Sequence, residues 1–145
     1  MTTIAWDGVT LAADTLITEN GLRVGKTQKV WRVNGVLFGV SGGAEHLAEF
    51  RSWVAAGMAG DRPAMKTGDN CAQAVVIHDG RVLSLMSGGW DVMTSPFYAI
   101  GTGSPVAMGA MALGHTAEEA VRAAIALDVY SGGDVTALRQ EDSAP

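Results

Sequence analysis

The chain has 145 residues, 48% of them hydrophobic and 17% charged, with a formal net charge of −5. That length suffices for one domain with a sizeable core, 1–145, and is too short for two. No apolar run approaches the roughly 18 residues of a membrane span, no Lys/Arg cluster suits nucleic acid or anionic membranes, and the start has no secretory n- and h-regions, so a cytoplasmic protein is expected.

The chain opens Met1-Thr2-Thr3. With Met1 removed, Thr2 would carry a hydroxyl and a free α-amine on one residue. An α-amine titrates ordinarily at about 7.7–8.0, so one residue can then serve as nucleophile and base. Strands are predicted at 3–6 and 9–13 around Asp7-Gly8, and at 29–33 and 36–40 around Asn34-Gly35. These dipeptides supply the positive φ that tight hairpin turns need. A helix over 44–56 puts Leu47, Phe50 and Val54 on one side and Glu45, Glu49 and Arg51 elsewhere, with Gly57 closing it. Residues 58–70, rich in Gly, Lys, Asp and Pro, read as a loop.

Cys71 is the only cysteine, which excludes an intrachain disulfide; at the head of the apolar run 72–77 it reads as a buried structural thiol. A third hairpin is predicted from 72–78 and 81–86 around Asp79-Gly80, then a strand at 97–100. Helices follow over 104–113 and from 116 to about 129, the second opened by a Thr116/Glu119 capping box. A last strand at 135–138 precedes a polar tail. This order of strands, helix, strands, two helices and strand suits an α+β chain of two stacked antiparallel sheets flanked by helices.

Five places set a polar group or bare backbone at a strand end or turn: Asp14 after Leu11-Ala12-Ala13, Lys29 before Val30-Trp31, Ser41-Gly42-Gly43, Gly101-Thr102-Gly103-Ser104, and Asp128-Val129-Tyr130-Ser131-Gly132-Gly133. Each alone has a structural explanation. Asp14 suits a turn, Lys29 a solvated strand face, and the paired glycines suit helix ends. A phosphate cradle at 101–104 lacks the following lysine and the full P-loop spacing. His46, His78 and His115 lack metal-ligand spacing.

Taken in order, these segments, with Thr2-Thr3-Ile4, resemble the proteasome β-subunit and HslV peptidase family of N-terminal nucleophile hydrolases, collinearly from residue 2 to about 133. The resemblance implies a four-layer αββα sandwich and a threonine peptidase that needs no metal or organic cofactor. It implies Thr2 as nucleophile, with its own amine accepting the proton. Lys29 would be the buried lysine that favours the alkoxide and keeps the amine neutral, and Asp14 the acid that pairs with it. The N–H of Gly42 would be the oxyanion donor. Asp128 and Ser131 would orient the amine. Thr102 stands where the family commonly has a serine; it keeps the hydroxyl and adds a methyl. Val40 and Ser41 would contact substrate, with Val40 on the floor of the specificity pocket and a medium apolar residue preferred there.

Two departures from the family follow. The stretch 58–70 is too short and too broken for the second long helix usual beside the first, so that helical layer is reduced, and only a polar tail follows 135–138. As partners, the resemblance implies peptide or unfolded protein as substrate, self-association into a homo-oligomer with a ring as one form, and an ATP-driven unfoldase that nothing in the chain itself specifies. Two other readings stand beside the peptidase: a non-catalytic scaffold or assembly subunit, and an N-terminal nucleophile amidase acting on small amides.

Overall fold

Short polar turns set the strands of this chain. The computed structural model describes residues 2–67, 70–86 and 89–140; Met1 and the tail 141–145 lie outside them. Strand β1 (Thr3–Trp6) turns at Asp7-Gly8 into β2 (Thr10–Ala13). Asp7 Oδ1 closes that turn by accepting the N–H groups of Val9 and Thr10 at 2.9 and 2.8 Å. A ribbon follows, β3 (Leu16–Glu19) and β4 (Leu22–Lys26), then β5 (Val30–Val33) and β6 (Val36–Ser41). Asn34 at φ 53° and Asp79 at φ 50° take the left-handed conformation expected of their turns.

Helix α1 (Ala44–Ala55) is followed by the two-residue strands β7 (Lys66–Thr67) and β8 (Asn70–Cys71). Next come β9 (Gln73–His78), β10 (Arg81–Met86), β11 (Gly89–Met93) and β12 (Tyr98–Gly101). Helices α2 (Ser104–Ala112) and α3 (Ala117–Leu127) precede β13 (Thr136–Arg139). The capping box is present: Thr116 Oγ1 accepts Glu119 N–H, and Glu119 Oε1 accepts Thr116 N–H at 2.9 Å.

The result is a mixed α+β chain in which the strand pairs among the described residues are all antiparallel. One sheet has the order β12-β1-β2-β13 and another the order β11-β10-β9-β6-β5; β3-β4 and β7-β8 are separate ribbons. Strand alternation divides the core into three clusters. Ile4, Trp6, Leu11 and Ala13 of the four-stranded sheet pack with Val30, Leu37, Val75 and Ile77 of the five-stranded one. Phe38, Val40 and Val76 pack with Phe50 and Val54 of α1. Ala5, Ala12 and Ala99 pack with Ala107 and Met111 of α2 and Ala120 and Val121 of α3, where small side chains let helix and sheet approach closely. No helix among the described residues is long and apolar enough to cross a membrane.

Two expectations need correction, and two elements lie outside the expected set. Cys71 is exposed, because the chain alternates as it leaves β8 and Ala72 takes the buried place. The 58–70 loop carries the β7-β8 ribbon. The β3-β4 ribbon was unexpected, although Asn20-Gly21, at φ 50° and 77°, carries the same signal as the other turns. Strand β11 was also unexpected. Its side chains are largely exposed, so no apolar alternation marks it.

Candidate active site

Asp14 sits just past the end of β2 and is fully buried, which rules out a simple turn role. Its carboxylate collects three donors. Oδ1 accepts Thr3 N–H at 3.0 Å and Lys29 Nζ at 3.0 Å, and Oδ2 accepts Gly132 N–H at 3.0 Å. One side chain thereby ties β1, the lysine before β5 and the segment after α3 together. Lys29 is 5% exposed, so the solvated-face reading fails too. Burial pushes the Lys29 ammonium below the ordinary lysine value of 10.5, while the charge and hydrogen bond of Asp14 and the charge of Asp128 offset part of that.

A second polar cluster begins where α3 ends. Asp128 leaves the helix with φ −87° and ψ 118°, and Oδ2 accepts the hydroxyls of Thr102 and Ser131, each at 2.6 Å. Tyr130 N–H donates to Oδ1 at 3.2 Å. Ser131 has one proton and gives it to Asp128, so the 2.7 Å contact between Ser131 Oγ and Thr3 Oγ1 has Thr3 as donor. The carbonyl of Thr2 accepts Gly103 N–H at 3.3 Å and lies 3.4 Å from Thr102 Oγ1. Gly101, at φ +96°, passes so close to Thr2 that a Cβ there would overlap the Thr2 carbonyl.

Burial alone would raise the Asp128 carboxyl, but hydrogen bonds from Ser131, Thr102 and the Tyr130 N–H outweigh it and hold the group below its ordinary 3.8. A depressed carboxylate contributes stability that is present above its unfolded value and lost as pH falls through the folded one. Asp128→Asn is therefore expected to lower Tm at pH 7. The difference from the parent chain should shrink as pH falls from the ordinary 3.8 through the depressed folded value, below which both lack that charge. Thermal unfolding followed by circular dichroism between pH 7 and 2.5 checks this; a constant difference would remove Asp128 ionisation as the cause.

Thr2, Lys29, Val40 and Gly42 line one cleft of about 320 Å³, together with Leu16 and Glu19 of the β3-β4 ribbon. Gly42 has φ +135°, and a Cβ there would lie 2.7 Å from Ala72 Cβ. No other residue fits that close approach with the same backbone. The structure thus brings Thr2, Lys29, Gly42 and Val40 to one cleft with Asp14 bonded to the lysine, and gathers Thr102, Asp128 and Ser131 into the cluster joined through Thr3. Ser41 is placed apart, lining a neighbouring cavity. The sequence reading missed Thr3, whose amide and hydroxyl link the two clusters, and Gly132, whose N–H bonds to Asp14. It also missed the ribbon wall of the cleft, for which Asn20-Gly21 was the available signal. Among the described residues no group of three or more His, Cys, Asp or Glu side chains could hold a metal ion.

The chain is similar in fold to Thiobacillus denitrificans BPH in complex with epoxomicin, with 22% sequence identity, a TM-score of 0.70 and coverage of 95% of this chain and 96% of that one. A second structure of Thiobacillus denitrificans BPH matches with 21% identity, a TM-score of 0.70 and the same coverage. At this identity the likeness is one of fold. No protein-family model and no curated protein matches the chain.

Proposed function

We propose that this chain is a threonine peptidase of the proteasome β-subunit and HslV type, an N-terminal nucleophile hydrolase built as a four-layer αββα sandwich with a reduced layer on the α1 side. The observation that carries this reading is the buried ion pair, Lys29 Nζ to Asp14 Oδ1 at 3.0 Å, with its lysine in the same cleft as Thr2 and Gly42. A buried, paired ammonium is costly to maintain as a structural feature alone. Beside a hydroxyl it lowers the cost of forming an alkoxide. The three clusters of core side chains support the layered architecture. The epoxomicin complex of the similar BPH structure supports the chemistry, because an epoxyketone offers two adjacent electrophiles that suit an amine and a hydroxyl on one residue.

The mechanism needs the Met1–Thr2 bond cleaved, so that Thr2 bears a primary amine. Thr2 Oγ1 then attacks the peptide carbonyl carbon, and its proton passes to the amine. The Lys29 ammonium disfavours a second positive charge nearby and so keeps the amine able to accept that proton. The carbonyl oxygen becomes an oxyanion held by Gly42 N–H. The C–N bond breaks as the proton is returned to the leaving nitrogen, giving an ester on Thr2. Water repeats the sequence on that ester, releasing the carboxylic acid and restoring Thr2. Copies of the chain self-associate in this reading, and an ATP-driven unfoldase in the cytoplasm supplies unfolded protein.

The test is the intact mass of the protein before and after incubation with a peptide epoxyketone such as epoxomicin. The expected result is loss of the Met1 mass followed by one adduct, absent in Thr2→Ala. A processed protein that stays unmodified, and that leaves unfolded casein and short peptides intact, would favour the assembly subunit instead. Cleavage of simple amides alone would favour the amidase.

A further inference from the structure

Along β1 the side chains alternate: Ile4 and Trp6 enter the core between the two larger sheets, and Ala5 enters the core against α2 and α3. Thr3, two residues before Ala5, shares the helix-facing side. Its contacts agree. Thr3 Oγ1 lies so close to Gly103, the N-cap of α2, that a Cβ on Gly103 would overlap it. It is also 2.7 Å from Ser131 Oγ in the segment after α3. The neighbouring strand positions on this face are Ala5, Ala12 and Ala99, and Thr3 is the fully buried polar exception. A hydroxyl in such a place costs desolvation unless it is bonded, whereas alanine or valine would serve packing alone.

The two hydrogen bonds of Thr3 differ in what they require. Its N–H donates to Asp14 Oδ1 at 3.0 Å, and any residue except proline supplies that donor. The hydroxyl bond depends on the side chain. Thr3 Oγ1 donates to Ser131 Oγ, and Ser131 and Thr102 each donate to Asp128 Oδ2 at 2.6 Å. The hydroxyl protons of the cluster thus all run toward one carboxylate, with Thr3 at the head of the longer row. Donation from Thr3 fixes the orientation of the Ser131 hydroxyl and strengthens its bond to Asp128, because hydrogen bonds in a row polarise one another.

We propose that the Thr3 hydroxyl is a positioning group for the reacting N-terminus, acting through Ser131 and Asp128. The inference rests on the peptidase reading, in which those two residues orient the Thr2 amine, and adds a residue to it. Ser131 has one proton and two lone pairs; the proton goes to Asp128 and Thr3 takes one lone pair. What remains for a further partner is a single lone pair. Ser131 can therefore accept an amine N–H but gives the amine no proton, which leaves the nitrogen lone pair free for the Thr2 hydroxyl proton. Without Thr3 Oγ1, Ser131 loses the donor that holds its oxygen in that orientation.

The test compares Thr3→Val, which keeps the shape and the N–H but removes the hydroxyl, with Thr3→Ala and with Thr3→Ser, which keeps the hydroxyl. Intact mass after exhaustive incubation with a peptide epoxyketone counts the molecules that take up one adduct. Read per such molecule on a fluorogenic peptide, kcat is insensitive to partial misfolding. Thr3→Val and Thr3→Ala are expected to lower kcat roughly tenfold with KM within about twofold of the parent, as for a group whose effect is confined to the transition state. Thr3→Ser should keep kcat within about threefold of the parent. If the valine variant yields no folded protein, alanine and serine make the same comparison, since they differ by the hydroxyl alone. Unchanged kcat in the variants without the hydroxyl overturns the positioning role and leaves the peptidase intact. An equal loss in Thr3→Ser overturns it too, because the effect then follows the methyl group and its packing. A parent protein that takes up no adduct and cleaves no peptide overturns the peptidase reading and the positioning role with it.

Discussion

Thr2→Ala is expected to abolish peptide hydrolysis, with kcat/KM falling by about 10⁴- to 10⁶-fold, as it does when an enzyme loses the nucleophile of a catalytic unit. The fold should survive. The hydrogen bonds that anchor Thr2 are made by its carbonyl, to Gly103 N–H and near Thr102 Oγ1, and alanine keeps that carbonyl. The cost in stability should be on the order of 1 kcal/mol, the scale of one methyl group lost from a buried side chain. Thr2→Ser, with hydroxyl and amine both present, should retain measurable turnover. Lys29→Ala should lose nearly as much activity as Thr2→Ala, and the double variant no more than either alone, because in the proposed mechanism the two groups act on one proton transfer. Steady-state kinetics on a fluorogenic peptide, with Tm measured on the same preparations, checks all four variants. Normal turnover in Thr2→Ala would remove this mechanism outright.

The parts of the fold legible in the sequence are those with local causes. Asn34-Gly35 and Asp79-Gly80 set their hairpins because the turn conformation depends on those two residues alone. Thr116 and Glu119 set the start of α3 because each bonds to the backbone of the other. The β3-β4 ribbon has the same local cause at Asn20-Gly21, but β4 is exposed along its length and so carries no burial pattern to confirm a strand. The site divides in the same way. Asp14 and Lys29 stand out only as polar residues beside apolar strands, a pattern shared with turns and solvated edges, and their pairing follows from the packing of one sheet on the other. Thr3 was invisible because its partner Ser131 lies 128 residues further along the chain. A threonine in a strand reads as a β-former, and nothing local distinguishes it from a hydroxyl that joins two polar clusters.

Asp14→Ala should be the most destabilising single change at the site, by about 3–5 kcal/mol, the usual cost of breaking a buried ion pair from one side. The carboxylate is fully buried, and its removal strips an acceptor from Lys29 Nζ, Thr3 N–H and Gly132 N–H together. The damage comes less from the lost attraction than from an ammonium left in a place where burial already lowers its proton affinity. That cause has a signature. Without Asp14, the folded-state pKa of Lys29 should fall further below 10.5, while the unfolded lysine stays at its ordinary value. The unfolded state then binds the extra proton between those two values, so the stability of Asp14→Ala should rise with pH through that window and be fully recovered only above the unfolded value. A Lys29→Met change in the Asp14→Ala background removes the stranded charge while keeping most of the side-chain volume. It should restore part of the stability and flatten the pH dependence, although it restores no activity. Urea unfolding of the parent, both single variants and the double at pH 7 and pH 9.5 gives the complete cycle. If Asp14→Ala were equally destabilised at both pH values and Lys29→Met brought no recovery, the carboxylate would be acting as an acceptor for Thr3 and Gly132 rather than as the partner of a lysine. The alkoxide-stabilising role proposed for Lys29 would then lose its structural support.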